Sequence, residues 1–135
     1  SDENDVKESF KIDKHHTFYS AVISHSYYAI FYSAKAILLT KNIKTEMPDV
    51  HRKTLDAFKE QFVDTGILDV KLLEIYRKMV VRADELLQIF IEEKKKRGDF
   101  TYKTLPQANQ EPAEDSVANA KSFISNIRKV IDVMK

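Results

Sequence analysis

The chain has 135 residues, which is enough for one domain with a single hydrophobic core. Its two glycines and three prolines are too few turn residues for a β-sandwich, so an all-α fold with long helices is expected. The 22 basic and 21 acidic side chains nearly cancel, which excludes a strong overall field toward nucleic acid or membrane, and the absence of cysteine excludes disulfides.

Residues 1–14 carry few large apolar side chains, so they are predicted to form a short helix or a frayed arm. From residue 16 to residue 41 the chain is almost continuously apolar, which predicts a central helix at residues 18–39 enclosed by other helices. This stretch is long enough to span a bilayer, but His25, Lys35 and four serines within it would be costly in lipid. Since the chain also opens without an apolar signal segment, we expect a cytoplasmic protein with no membrane partner.

Small residues recur on one face of this central helix. Ala29, Ser33 and Ala36 form a strip where another helix can approach closely. Bulky aromatic side chains surround the strip, namely Tyr27, Tyr28, Phe31 and Tyr32. We interpret them as core residues whose hydroxyls find hydrogen-bond partners, or as the wall of a wet groove.

The next segment carries the signals of a short helix. Residues 42–47 are predicted to be a connector, and Pro48 or Asp49 can start the helix that follows. Apolar residues then recur at helical spacing, and Gly66 suits a left-handed stop at the end of this helix.

A longer helix is predicted to begin at Asp69, which has the side chain of an N-cap. Apolar residues with helical periodicity follow it: Leu72, Leu73, Tyr76, Met79, Val80, Ala83, Leu86, Leu87 and Phe90. The charged run at residues 92–97 continues to Gly98, where the helix is predicted to stop.

Residues 99–111 contain Pro106 and several polar side chains, so they are predicted to form a loop of a length that often carries function. Pro112 can occupy the first turn of a final helix. The apolar residues of that helix form a regular seam: Val117, Ala120, Ile124, Ile127, Ile131 and Met134. The seam predicts packing along a bundle of four or five helices, or against a partner chain.

Several kinds of active site are not supported by the sequence. No elbow sequence surrounds a serine, and the neighbouring His15 and His16 point in different directions on a helix, so neither a hydrolase triad nor a metal site is expected. Without a glycine-rich loop, no cofactor is expected. His25 lies in the apolar helix. Two roles are open for it: a base or switch near neutral pH, or a hydrogen-bonded histidine of the core or of an interface. His51 is predicted to be exposed or to cap its helix locally.

Positive charge and aromatic rings meet beyond the charged run. Lys94, Lys95, Lys96 and Arg97 lead into Phe100, Tyr102 and Lys103. Such a mixture can hold phosphates while a ring stacks on a base. The simpler interpretation is a solvated helix end.

Several short motifs follow one another along the chain. They are Ser26-Tyr27-Tyr28-Ala29-Ile30-Phe31, Ala34-Lys35-Ala36-Ile37-Leu38-Leu39, Phe62-Val63-Asp64-Thr65-Gly66-Ile67-Leu68-Asp69 and Arg97-Gly98-Asp99-Phe100. In order and spacing they resemble the HEPN domain family of prokaryotic helical bundles, over residues 16–135. The resemblance implies one up-and-down antiparallel bundle that commonly forms a homodimer. It also implies a minimal nucleotidyltransferase partner in a toxin-antitoxin pair, or metal-independent ribonuclease activity in a cleft between two protomers.

Ribonucleases of that family carry an arginine followed four to six residues later by a histidine. Here the last histidine is His51 and the first arginine is Arg52, so no arginine precedes a histidine. Arg97 is instead followed by Tyr102, and tyrosine is a poor base at neutral pH. This departure from the family's pattern favours a nucleotide-, RNA- or partner-binding module over a ribonuclease.

The residues expected to contact a ligand are Arg97, Asp99, Tyr102, Lys96, Lys103, Tyr28 and His25. Two alternatives remain open. One is a divergent ribonuclease that uses Arg97, Asp99 and Tyr102, with His25 as a helper. The other is a structural dimer whose interface contains Ile124 and Ile127 of the final seam.

Overall fold

The computed structural model describes the backbone of residues 2–102 and 110–135, and the side chains of residues 17–99 and 110–135. These residues form five helices: α1 (Asp2–Leu39), α2 (Val50–Phe58), α3 (Ile67–Tyr76), α4 (Ala83–Tyr102) and α5 (Gln110–Met134). The two described ranges contain no strand. The predicted all-helical bundle is therefore confirmed.

Helix α1 is one continuous helix of 38 residues. The prediction of a separate short helix or arm at residues 1–14 is therefore wrong, since residues 2–14 belong to α1. Its core face repeats at spacings of four and three through Ile23, Tyr27, Ile30, Ala34 and Ile37, none of them more than 1% exposed. The other helices pack around that face, so the predicted central helix at residues 18–39 is confirmed.

The connector after α1 turns back along the helix that it leaves. Lys35 Nζ donates to the carbonyl oxygen of Thr45 at 3.2 Å, and the Thr45 hydroxyl lies 2.6 Å from that of Thr54. Thr54 in turn donates to the carbonyl oxygen of Val50 at 2.7 Å. This chain of bonds places the first turn of α2 beside the C-terminal part of α1. Asp49 precedes α2 with a φ of 55°, close to the predicted start.

Helix α2 passes into a π-helical turn at Lys59–Val63 and ends before Gly66. Gly66 has a φ of 78°, a left-handed conformation that glycine adopts without steric cost. The predicted glycine stop is therefore confirmed.

Aromatic rings from three helices meet in the centre of the bundle. The Phe58 ring lies 5.5 Å from Phe123 and 6.0 Å from Phe90, measured between centroids. All three side chains are fully buried. Separations of this kind allow tilted and edge-to-face contacts, which add to the hydrophobic burial.

The predicted long helix from Asp69 is wrong, because the chain breaks between α3 and α4. Arg77 adopts a φ of 59° directly after α3, and Met79 and Val80 are about half exposed instead of buried. Asp69 does cap a helix, but not the predicted one. Its Oδ1 accepts a hydrogen bond of 2.7 Å from the backbone N–H of Ala83, the first residue of α4.

The predicted helix stop at Gly98 is also wrong, since α4 continues through it to Tyr102. The predicted loop at residues 99–111 therefore begins in the last turn of α4 and ends in α5, and residues 103–109 lie outside the described ranges. Pro112 stands in the first turn of α5, as expected. Helix α4 runs antiparallel to α5, since Lys96 near its end donates to the carbonyl oxygen of Pro112.

The seam of α5 divides between core and surface. Ala120 and Ile127 are buried, whereas Val117, Ile124 and Ile131 are only partly buried. Ile127 has no exposed surface within its own chain, whereas Ile124, the other residue expected at a dimer interface, keeps part of its surface exposed. In the described part of the chain, no helix combines the length and the apolar character that a membrane span requires.

Candidate functional site

His51, in the first turn of α2, packs against aromatic side chains of α1. Its ring lies 4.2 Å from the Phe31 ring in a stacked arrangement, measured between centroids, and Nδ1 lies 2.9 Å from the Tyr27 hydroxyl. The side chain is partly buried. The prediction of an exposed or locally capping histidine is wrong, because the connector holds this turn of α2 against α1.

The charge state of His51 follows from its surroundings. Burial lowers its pKa, and the nearby cations Arg97, Lys94 and Lys35 lower it further. The imidazole is therefore neutral at pH 7. Burial also raises the pKa of Tyr27, so its hydroxyl keeps its proton.

The hydrogen bond between these two side chains fixes the tautomer of His51. The Tyr27 hydroxyl is almost fully buried, and His51 Nδ1 is its hydrogen-bond partner among the described residues. Because a buried hydroxyl must donate to an acceptor, Nδ1 accepts and the imidazole proton lies on Nε2. His51 thus presents an N–H donor at Nε2.

Arg97 reaches the same place from α4. Its Nη2 donates to the Tyr28 hydroxyl at 2.7 Å, and its guanidinium carbon lies 4.9 Å from the Tyr28 ring centroid. Its Nε lies 3.5 Å from the Ser24 hydroxyl. The Tyr28 ring lies 5.8 Å from the His51 ring, so one tyrosine contacts both the arginine and the histidine. The antiparallel course of α4 along α1 produces this meeting.

Two lysines complete the positive charge around His51. Lys94 lies three residues before Arg97 on the same face of α4, is partly buried, and makes no hydrogen bond or ion pair within the described residues. Lys35 lies 5.5 Å from the Phe31 ring and is held by the carbonyl of Thr45. We call the set the His51 cluster; its members are Tyr27, Tyr28, Lys35, His51, Lys94 and Arg97.

Of the residues predicted from sequence, Arg97 and Tyr28 are brought together, whereas His25 and Lys96 lie elsewhere. His25 is exposed on α1. Lys96 is directed to α5, where it donates to Pro112 and lies 3.7 Å from Glu93. Asp99 is partly buried in the last turns of α4. The side chains of Tyr102 and Lys103 lie outside the described residues.

The sequence analysis missed His51 and recognised Lys94 only as part of a charged run. His51 is separated from Tyr27 by 24 residues and from Arg97 by a further 46, so no local motif contains the cluster. Its order is also the reverse of an arginine followed by a histidine. Across the described ranges, no three His, Asp or Glu side chains are grouped to hold a metal ion.

The sequence of this chain is similar to those of known proteins. The HEPN domain family matches residues 4–130. A Methanocaldococcus jannaschii protein named "Putative toxin" is 30% identical over 113 residues, which cover 84% of this chain and 71% of that protein. A second protein of that organism with the same name is 44% identical over 57 residues, 42% of this chain and 37% of its own length.

A Thermotoga maritima protein named "UPF0332 protein" is similar over nearly the whole chain. It is 31% identical over 132 residues, which cover 98% of this chain and 84% of that protein. No solved structure matched the chain. The family match covers both ends of the bundle and all the helices that build the His51 cluster. The chain therefore belongs to the HEPN domain family.

Proposed function

We propose that this chain is a toxin-like HEPN module that binds a nucleotide or RNA through a phosphate group held by the His51 cluster. The observation that carries the proposal is the meeting of Arg97 and His51 at Tyr28, with Lys94 on the same face of α4 as Arg97 and close enough to lower the pKa of His51. A phosphate accepts hydrogen bonds from all three kinds of donor. The similarity to two proteins named as toxins supports the toxin-like role.

Electrostatics favour an anion at this place. The charged groups that lower the pKa of His51 are all cations. Cations grouped around a partly buried imidazole repel one another, and a bound phosphate removes this repulsion. Lys94 makes no hydrogen bond or ion pair within the described part of the chain, so its ammonium can turn to a ligand without breaking such a bond there.

The tautomer of His51 favours binding over proton abstraction. With its proton on Nε2, the imidazole donates to a phosphate oxygen but has no lone pair directed outward to act as a base. Tyr28 lies beside the arginine and contributes an aromatic surface for a base or a ribose. These features support a binding module as the leading function.

Binding of fluorescent adenosine nucleotides and of a short labelled RNA tests the proposal. We expect Arg97→Ala and Lys94→Ala each to weaken binding about tenfold or more, since a charge-assisted hydrogen bond contributes roughly 1.5–3 kcal/mol. Arg82→Ala is the matched control, because Arg82 directly precedes α4 and the helix separates it from Arg97 by about 20 Å at the helical rise per residue. Equal affinities for the three variants and the parent would contradict the proposal.

Ribonuclease activity is a second candidate, and the proximity of His51 to Arg97 favours it. In this version His51 replaces His25 as the histidine that acts with Arg97. It requires the proton of His51 to move to Nδ1, so that Nε2 can accept a proton from the attacking ribose hydroxyl. Cleavage of RNA by metal-free protein, lost in His51→Gln, would support it, and intact RNA after long incubation would exclude it.

The proposal also extends to partners. Membership of the family supports a homodimer and pairing with a minimal nucleotidyltransferase. Light scattering tests the first of these, and co-purification with a nucleotidyltransferase encoded beside this chain tests the second. A monomeric mass at micromolar concentration would remove the homodimer.

A further inference from the structure

Tyr32 lies one helical turn after Tyr28 and exposes most of its ring. The exposed fraction of its side chain is 62%, and its ring stacks on the Tyr28 ring with a centroid separation of 6.3 Å. An exposed aromatic side chain of this size loses hydrophobic contact with the core without an evident structural benefit. It therefore marks a surface that a ligand can cover.

A groove between α1 and α5 begins at the same tyrosine. It has a volume of about 480 Å³. Its residues from α1 are Ala29, Tyr32, Ser33 and Ala36; on the other side lie Ile124, Arg128, Ile131 and Asp132 of α5, with Lys135 just after that helix. The small side chains of α1 form the floor of an open channel. From sequence, the same side chains were expected to form a strip for contact with another helix.

We propose that the phosphate site extends over Tyr32 into this groove and that the extended site binds a single-stranded polynucleotide. This inference rests on the proposed function, because the first phosphate is held by the His51 cluster. Tyr32 would stack on an unpaired base next to that phosphate. Arg128 and Lys135 would contact the following phosphates.

The charges in the groove fit this occupant. Arg128 lies on α5 and Lys135 directly follows the last residue of that helix, and neither makes an ion pair within the described residues. Asp132 lies between them and is the carboxylate of the groove. It is four residues from Arg128, yet the two side chains are not paired with each other. The cations thus exceed the anions, which suits a polyanion.

The proposed site extends along α1 beyond the phosphate position. Tyr28 and Ala36, which stand at its two ends, are eight residues apart on α1, which corresponds to about 12 Å along the helix. Successive phosphates on one strand of a duplex rise by roughly 3.4 Å, so this length offers room for more than one nucleotide. We therefore expect a short oligonucleotide to make contacts in the groove that a mononucleotide held at Arg97 does not make.

The exposed ring of Tyr32 explains why the groove should bind a single strand rather than a duplex. Bases in a duplex are already stacked on their neighbours and do not offer a face to a protein side chain. An unpaired base does, and stacking on aromatic rings depends little on its identity. The groove should therefore prefer single strands and tolerate different sequences.

The test compares the affinities of fluorescently labelled adenosine monophosphate, a tetra-adenylate and a short RNA duplex. For the parent protein we expect the tetranucleotide to bind at least about tenfold more tightly than the mononucleotide, as stacking and added phosphate contacts predict. Tyr32→Leu and Arg128→Ala should each lower the ratio of these two affinities by about fivefold or more. Tyr32→Phe should keep the ratio, since it keeps the ring, and Arg82→Ala should keep it as a distant charge control.

The outcomes separate this inference from the proposed function. If Arg97→Ala weakens both ligands while Tyr32→Leu and Arg128→Ala leave the affinity ratio unchanged, the extended site is overturned and the phosphate site stands. If Arg97→Ala affects neither ligand, the phosphate site itself is wrong. Equal binding of the duplex would also overturn the inference. So would a parent dimer that Ala36→Arg converts to a monomer, because the groove would then be a protein interface.

Discussion

The hydroxyl oxygen of Tyr27 lies 2.9 Å from Nδ1 of His51, and this hydrogen bond joins the centre of α1 to the first turn of α2. The tyrosine is almost completely buried, while the histidine faces partly outward. The bond therefore holds the partly exposed imidazole in a fixed position against the core. It also determines which imidazole nitrogen carries the proton.

Replacing Tyr27 by phenylalanine keeps the ring in the core but removes the donor to His51. We expect the free energy of unfolding to fall by about 1 kcal/mol, as for other single hydrogen bonds between neutral groups. Urea denaturation measures this loss. Tyr32→Phe is the control, and its effect should stay within about 0.5 kcal/mol because its ring is exposed. Equal stability of both variants would mean that the bond does not contribute.

The lowered pKa of His51 predicts a pH dependence of stability. Below the ordinary value of about 6.5 the unfolded chain gains a proton on this residue, while the folded protein does not until its lowered pKa is reached. Stability therefore falls as the pH drops through that window. The difference in unfolding free energy between the parent and His51→Gln should shrink from pH 7 to pH 5. Parallel curves would contradict the shift.

The hydrogen bond from the Ala83 N–H to Asp69 caps α4 across a break in the chain, so removing it should lower the stability of the protein. Asp69→Ala removes the acceptor of the Ala83 N–H and should lower the free energy of unfolding by about 1 kcal/mol. Asp69→Asn should lose less, since its amide oxygen can accept the same bond. The exposed Asp56 of α2 offers a matched control, Asp56→Ala. Equal losses for Asp69→Ala and Asp56→Ala would exclude the cap.

The break before Ala83 shows where sequence patterns fail. Met79 and Val80 keep the helical phase of the flanking helices, so periodicity cannot distinguish a break from a continuous helix. The decisive contact joins Asp69 to Ala83, which are too far apart in the sequence for a local capping signal. Gly98 illustrates the converse, because a glycine within a helix lowers stability without ending the helix.

The candidate site was predictable only in part for a similar reason. Arg97 and Tyr28 stand in segments with a local signal, namely a charged helix end and an aromatic cluster. His51 has no such signal. Its position depends on the connector, where Thr45 bonds to Thr54 and turns α2 back along α1. Contacts of this kind arise from the tertiary fold and leave no periodic trace in the sequence.

Packing in the aromatic core predicts that replacing a buried phenylalanine destabilises the protein far more than replacing an exposed one. Phe123 is fully buried against Phe58 and Phe90, so Phe123→Ala should lower the free energy of unfolding by about 3–5 kcal/mol. Phe18 is 60% exposed, and Phe18→Ala should cost no more than about 1 kcal/mol. Thermal and urea denaturation measure both losses. Similar losses would show that the bundle is not packed around this aromatic centre.

An NMR titration of the His51 imidazole, with and without saturating tetra-adenylate, tests the central claim most directly. A phosphate among Arg97, Lys94 and His51 offsets the cations that lower the pKa of this histidine. We expect the ligand to raise the pKa of His51 toward its ordinary value, with the signal assigned by its loss in His51→Gln. An identical titration curve for His51 in the presence of bound ligand would mean that no phosphate binds beside this histidine.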